Sequence, residues 1–141
     1  MRYMITLYAS QRDYDAMEGK GSPESPAWSP EDVQAMSEYM DACMQSLRES
    51  GEYVDGQGLV APVHTRRVHG VKDSTPVVTD SPYGETQEVL AGYNVVDCDS
   101  FDRAIEIAAQ MTLCPAPAQV DTSEWYVDVR PIAEGPPRVE A

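Results

Sequence analysis

The sequence predicts an α+β protein, a ferredoxin-like βαβ-βαβ sandwich with its helices on one sheet face. Three observations carry this. Hydrophobic periodicity reads, in order, as strand, helix, strands, strand, helix, strand. Both helical stretches are apolar along one stripe only, so each has one face to bury. The 141 residues fit a single domain with one real core.

Residues 2–9 alternate Tyr3, Ile5 and Leu7 against Met4, Thr6 and Tyr8. Both faces are fairly apolar, as in a strand covered on both sides. Residues 10–28 are polar and carry Gly19, Gly21, Pro23 and Pro26. They read as a long inserted loop, either a lid bearing Tyr14, Met17 and Trp28 or a plain insertion. Ser29-Pro30-Glu31-Asp32 starts a helix: Ser29 caps, Pro30 takes the first turn, and the acids favour the positive dipole end. Its apolar stripe is Val33, Met36, Met40, Cys43/Met44 and Leu47, and Ser50-Gly51 ends it.

Residues 52–72 hold strand-like runs broken by Gly56 and Gly58, and Thr75–Thr79 is a further short strand. Asp80–Glu85 is turn chemistry, with Pro82 forcing Ser81 extended. Val89–Asp97 is a strand. Asp99 or Ser100 caps a second helix with the stripe Phe101, Ala104, Ile105, Ala108 and Met111. Trp125–Ile132 is the last strand, and residues 133–141 read as a disordered tail. The domain is therefore 1–132. Helices on one face leave the other apolar and bare, and a second copy of the chain is the economical cover.

Composition narrows the function. Ten Lys and Arg oppose 24 Asp and Glu, a net charge of -14. Such a chain is no nucleic-acid binder and suits no anionic membrane surface, because both need cations. No run of about 18 apolar residues is present to span a bilayer. Cys43, Cys98 and Cys114 are odd in number and widely spaced, which excludes a disulfide framework and a zinc motif and fits a cytoplasmic location. His64 and His69, five apart on an extended segment, face opposite sides, so no metal site is expected. No glycine-rich phosphate loop appears, and no cofactor is expected.

Chemistry concentrates around residues 64–88. Asp80 reads either as a turn cap or as a carboxylate that moves a proton in a cleft. His64 is its candidate acid–base partner. Tyr83 offers an aromatic platform and a phenol. Arg66 and Arg67 point to opposite faces, so one of them can anchor a carboxylate. Glu85 and Trp28 complete the candidate binding set. Glu85 and Glu88 also read as simple caps or ion-pair partners.

The segment Asp80-Ser81-Pro82-Tyr83-Gly84-Glu85-Thr86-Gln87-Glu88 resembles the Asp-Gly-Pro-Phe-Ala-Glu-Thr-Lys-Glu signature of the YCII-related family, in its DGPF-motif branch. Met1–Tyr8, Trp28-Ser29-Pro30-Glu31, Gly56-Gln57-Gly58-Leu59, Thr65-Arg66-Arg67, Gly92-Tyr93, Cys114-Pro115 and Val129-Arg130-Pro131 resemble further family segments in the same order. The resemblance spans residues 1–132. It departs at Ser81, Tyr83, Gly84 and Gln87, and in the longer 10–28 loop. A left-handed backbone at the motif's glycine would strain Ser81.

The resemblance implies a dimeric α/β barrel, two sheets face to face with a cleft in each protomer. The wider superfamily includes small-molecule isomerases and a dehydrochlorinase, and DGPF proteins often occur beside extracytoplasmic-function sigma factors. Three functions are therefore expected in competition. The first is a homodimer binding a small organic ligand beside His64, an arginine, Asp80 and Tyr83. The second is a cofactor-free lyase or isomerase using Asp80 and His64. The third is an accessory protein for a sigma factor.

Overall fold

A computed structural model describes residues 1–135. In chain order the elements are β1 (Arg2–Ala9), α1 (Gln11–Met17), α2 (Pro30–Ser50), β2 (Tyr53–Gly58), a 3-10 turn (Pro62–His64), β3 (Arg66–Lys72), β4 (Thr75–Asp80), β5 (Val89–Asp97), α3 (Phe101–Thr112) and β6 (Val127–Pro131).

Two split βαβ units build the body. β1 and β2 flank β5, and β5 and β6 flank β1, giving an antiparallel sheet in the order β2-β5-β1-β6. This is the ferredoxin-like α+β arrangement. α2 and α3 lie on one sheet face, where Tyr3, Ile5 and Val96 meet Leu47, Ala104, Ile107, Ala108 and Met111. Ile5 and Val96 are 0% exposed. Met40 and Met44 pack against this core, so the expected methionine stripe of α2 does face the sheet.

The caps of α2 act as read. Ser29 Oγ accepts the Asp32 N–H at 3.1 Å, and the Asp32 carboxylate accepts the Ser29 N–H at 2.9 Å. Gly51 ends the helix at φ +79, where a side chain would be strained. Behind it, Glu52 receives two 2.8 Å bonds from the Arg103 guanidinium, tying the end of α2 to α3. Arg103 holds the Glu52 carboxyl below its ordinary pKa, and Glu52 in turn raises the Arg103 pKa.

Several expectations are corrected. The 10–28 segment is not all loop: Ser10 Oγ accepts the Asp13 N–H and Asp13 accepts the Ser10 N–H, a capping box that starts α1. On α3 the buried stripe is Ala104, Ile107, Ala108 and Met111, while Phe101 and Ile105 are exposed. Ser100, not Asp99, is the cap. Trp125 precedes the last strand rather than starting it. His64 ends a 3-10 turn instead of lying on a strand, so the alternation argument for the two histidines does not hold. Of the expected tail, 136–141 lie outside the described residues. Cys98 is buried and Cys43 half-buried, and burial raises the pKa of both thiols.

The remaining pair, β3 and β4, forms a separate two-stranded ribbon. Every residue in both strands is exposed. The ribbon leaves the body from the β2–β5 connection as an arm.

Candidate functional site

Strand alternation sends Met4, Thr6 and Tyr8 to the sheet face opposite Tyr3 and Ile5. Thr6 sits between Tyr93 of β5 and Asp128 of β6, and Met4 between Val95 and Arg130. α2 and α3 are both on the other side; on this face Met4, Thr6, Tyr8 and Tyr93 are half-buried and Val95 is buried. A row of phenols runs across it. Tyr93 donates to Asp55 at 3.2 Å, and the Thr6 and Tyr8 hydroxyls share a bond of 2.9 Å. Tyr8 and Tyr126 pack with ring centres 5.6 Å apart, and Tyr126 donates to Glu88 at 2.7 Å. The bond to Glu88 raises the Tyr126 pKa first, with burial second. Burial leads for Tyr93, followed by the Asp55 charge. These phenols therefore stay protonated and act as hydrogen-bond donors.

Glu88 joins this row to the turn that carries the predicted residues. Ser81 is not extended as expected before Pro82: it adopts φ +46, in the left-handed region, where its backbone is strained. Two bonds hold it there: its N–H donates to the Thr65 carbonyl at 2.9 Å and its hydroxyl to the Val63 carbonyl at 2.7 Å. The turn is thus clamped to the segment after the 3-10 helix. α1 closes the same region from the other side. The Gln11 side chain accepts the Val63 N–H at 2.8 Å, and the Arg12 N–H donates to the Glu85 carbonyl at 3.0 Å.

The structure distributes the predicted residues unevenly. Arg67 and Tyr83 meet, with the guanidinium carbon 5.4 Å from the ring centre, a cation–π contact of about 0.5–1 kcal/mol. Arg66 and Asp80 are register partners in the ribbon and pair at 3.5 Å, with side chains 78% and 80% exposed. Such an exposed pair contributes about 0–1 kcal/mol. His64 is exposed. Among the described residues no hydrogen bond or ion pair joins it to Asp80. Trp28 is buried, and its N–H donates to the Ala16 carbonyl at 2.9 Å, so it braces α1. Tyr14 is likewise fixed, donating to the Leu59 carbonyl at 2.8 Å. Glu85 lies 3.9 Å from Arg12 through its carboxylate.

Arg12 is the residue that sequence reading missed. Its Nε is buried and makes no hydrogen bond, and Glu85 at 3.9 Å is too far for one. The signal was the Ser10–Asp13 capping box, which makes residue 12 helical and orients it. Arg12 and Arg67 thus flank the turn at Glu85 and Tyr83, in a chain with ten cations in all. No group of three or more His, Cys, Asp or Glu side chains is placed to hold a metal ion among the described residues. None of their helices is long and apolar enough to cross a membrane.

The fold defines a ferredoxin-like α+β sandwich protein with a row of tyrosines on the sheet face away from α2 and α3. The chain belongs to the YCII-related domain family, whose model matches residues 1–121. It is also similar to an uncharacterized protein of Rhizobium meliloti (strain 1021), at 27% identity over 107 residues, 76% of this chain and 81% of the relative.

Proposed function

We propose that the protein is a homodimer that binds a small organic anion where the phenol row meets the 80–88 turn. Two such faces stacked about 10 Å apart would complete a dimeric α/β barrel and enclose the phenols. Tyr8, Tyr93 and Tyr126 then offer donors and ring surface in a space shielded from water. Arg12 and Arg67 supply the positive charge, and Tyr83 the platform beside it. The observation that carries this reading is the buried Arg12 Nε without a hydrogen-bond partner. Glu85 stands 3.9 Å from this Nε, beyond hydrogen-bond reach, and a ligand carboxylate is the group that suits the open fork best.

The lyase or isomerase alternative needs Asp80 and His64 to act on one point. Within one chain Asp80 is instead paired to Arg66 in solvent. The sigma-factor role rests on the family resemblance alone.

Benzoate and acetate serve as probes of the anion site, with binding followed by NMR shifts of backbone amides. The expected result is saturable shifts at residues 10–14 and 81–88, weakened about tenfold or more by Arg12→Ala. Arg12→Lys, which keeps the charge and loses the fork, should recover only part of the affinity. Equal shifts in wild type and Arg12→Ala, or no shifts with either probe, would overturn the reading.

A further inference from the structure

The arm has two unlike faces. Its register pairs Val68 with Val78 and Val71 with Pro76. A bulge at His69, with Gly70 at φ +134, keeps both pairs on one side. That side is an apolar strip in open solvent, with Val68 64% and Val71 71% exposed. The other side carries Arg67, Thr79, Lys72 and one valine, Val77, with His69 bonded to Thr79 at 2.6 Å, while the Arg66–Asp80 pair ends the valine side. A lone two-stranded ribbon is marginal in water, because it has no layer to bury its apolar side against.

The body has a matching deficit. Between α3 and β6 runs an open groove of about 490 Å³, lined by Phe101, Ile105, Ala109, Trp125 and Val127. β6 is the outermost strand of the sheet, so its far edge is unpaired among the described residues. The groove contains the acid Asp128 and no basic residue. The ribbon carries Arg66, Arg67 and Lys72 against Asp73 and Asp80, a net positive arm in a chain of net charge -14. The lengths agree as well. Seven residues of β3 reach about 23 Å and the twelve of α3 run about 18 Å.

We infer that the arm of one copy lies in the α3–β6 groove of a second copy, its valine strip inward and its cations at the acidic rim. This rests on the homodimer proposed above and adds the element that clasps it. By two-fold symmetry the exchange is reciprocal, so each contact is made twice. Arg67 and Asp80 lie at the base of the arm, so seating it also braces the Tyr83 turn of the anion site. Ligand affinity is then coupled to dimerisation.

Limited trypsin digestion reads the arm directly, since Arg66, Arg67 and Lys72 are its cleavage points. The full chain is digested at a concentration where sedimentation shows a dimer. Cleavage after Lys72 should be about tenfold slower than in Ile105→Glu, whose exposed position tolerates the change without unfolding the body. Val71→Cys protein mixed with Ile105→Cys protein should give a 71–105 disulfide between copies, mapped by mass spectrometry. Fast cleavage of the arm in a dimer, or a 71–71 link instead, would overturn this inference while leaving the homodimer standing. A wild-type monomer at every concentration would remove the homodimer itself and this inference with it.

Discussion

The strands of the arm are richer in β-branched residues than those of the body, 6 of 13 against 8 of 28, yet it is the body's that are enclosed. Ile5 and Val96 are fully enclosed by α2 and α3. Val68, Val71, Val77 and Val78 are all exposed. The body sheet has a helix layer on one side, and its central strands β1 and β5 have hydrogen-bonded neighbours on both edges. Each arm strand has one neighbour and no layer. Hydrophobic side chains are therefore a statement about need for cover rather than about cover obtained. Where a single chain supplies the cover, the sequence determines the local structure alone. Where it does not, the side chains stay exposed, and on the proposed reading a second copy covers them.

The contrast can be broken most severely in the body. Ile5→Ala should lower unfolding stability by about 2–4 kcal/mol in urea titration, the cost of a cavity at a closed site. Val78→Ala, measured below the dimer concentration, should stay within about 0.5 kcal/mol, since it removes exposed surface. Equal losses would show that the arm is packed within its own chain.

The Glu52–Arg103 pair sharpens the comparison through pH. Glu52 has a folded pKa below its unfolded value, so its contribution is complete above the unfolded pKa near 4.5 and is lost as pH falls through the folded one. Glu52→Gln should cost about 1–2 kcal/mol at pH 7, with the difference from wild type shrinking toward pH 3. The exposed Arg66–Asp80 pair provides the control. Asp80→Asn should change stability at pH 7 by less than about 0.5 kcal/mol.

The smallest expected effect is at Ser81. Glycine relieves the left-handed strain, but it loses the hydroxyl bond to Val63 and gains unfolded-state entropy. These oppose one another, and Ser81→Gly should shift the melting stability by no more than about 0.5 kcal/mol. A large stabilisation would show that the two bonds do little to hold the turn.

The body was the most legible part of the sequence. β1 and β5 fall on the expected residues because strong alternation and long apolar runs leave one reading. α2 announces itself through Ser29, Pro30 and Gly51. α1 was hidden because its capping box lies at the head of a polar, glycine- and proline-rich stretch, and composition outweighed the local signal. Arg12 was missed with it. The stripe of α3 was misplaced by part of a turn, since Ile105 and Ile107 both fit a helical period and only the position of the sheet decides between them. The turn residues were found by type, but their partners were not. The Arg66–Asp80 pairing depends on ribbon register, which no spacing rule supplied.

The central claim is that the phenol-bearing sheet face is buried between two copies. Sedimentation equilibrium of wild type and Thr6→Arg tests it most directly. The new arginine has Asp128 beside it in register, so the body should tolerate the change, as checked by circular dichroism. Wild type should sediment at twice the 15.5 kDa of one chain, and the variant at 15.5 kDa. A wild-type species of 15.5 kDa at all concentrations, or a dimer unaffected by Thr6→Arg, would contradict the account.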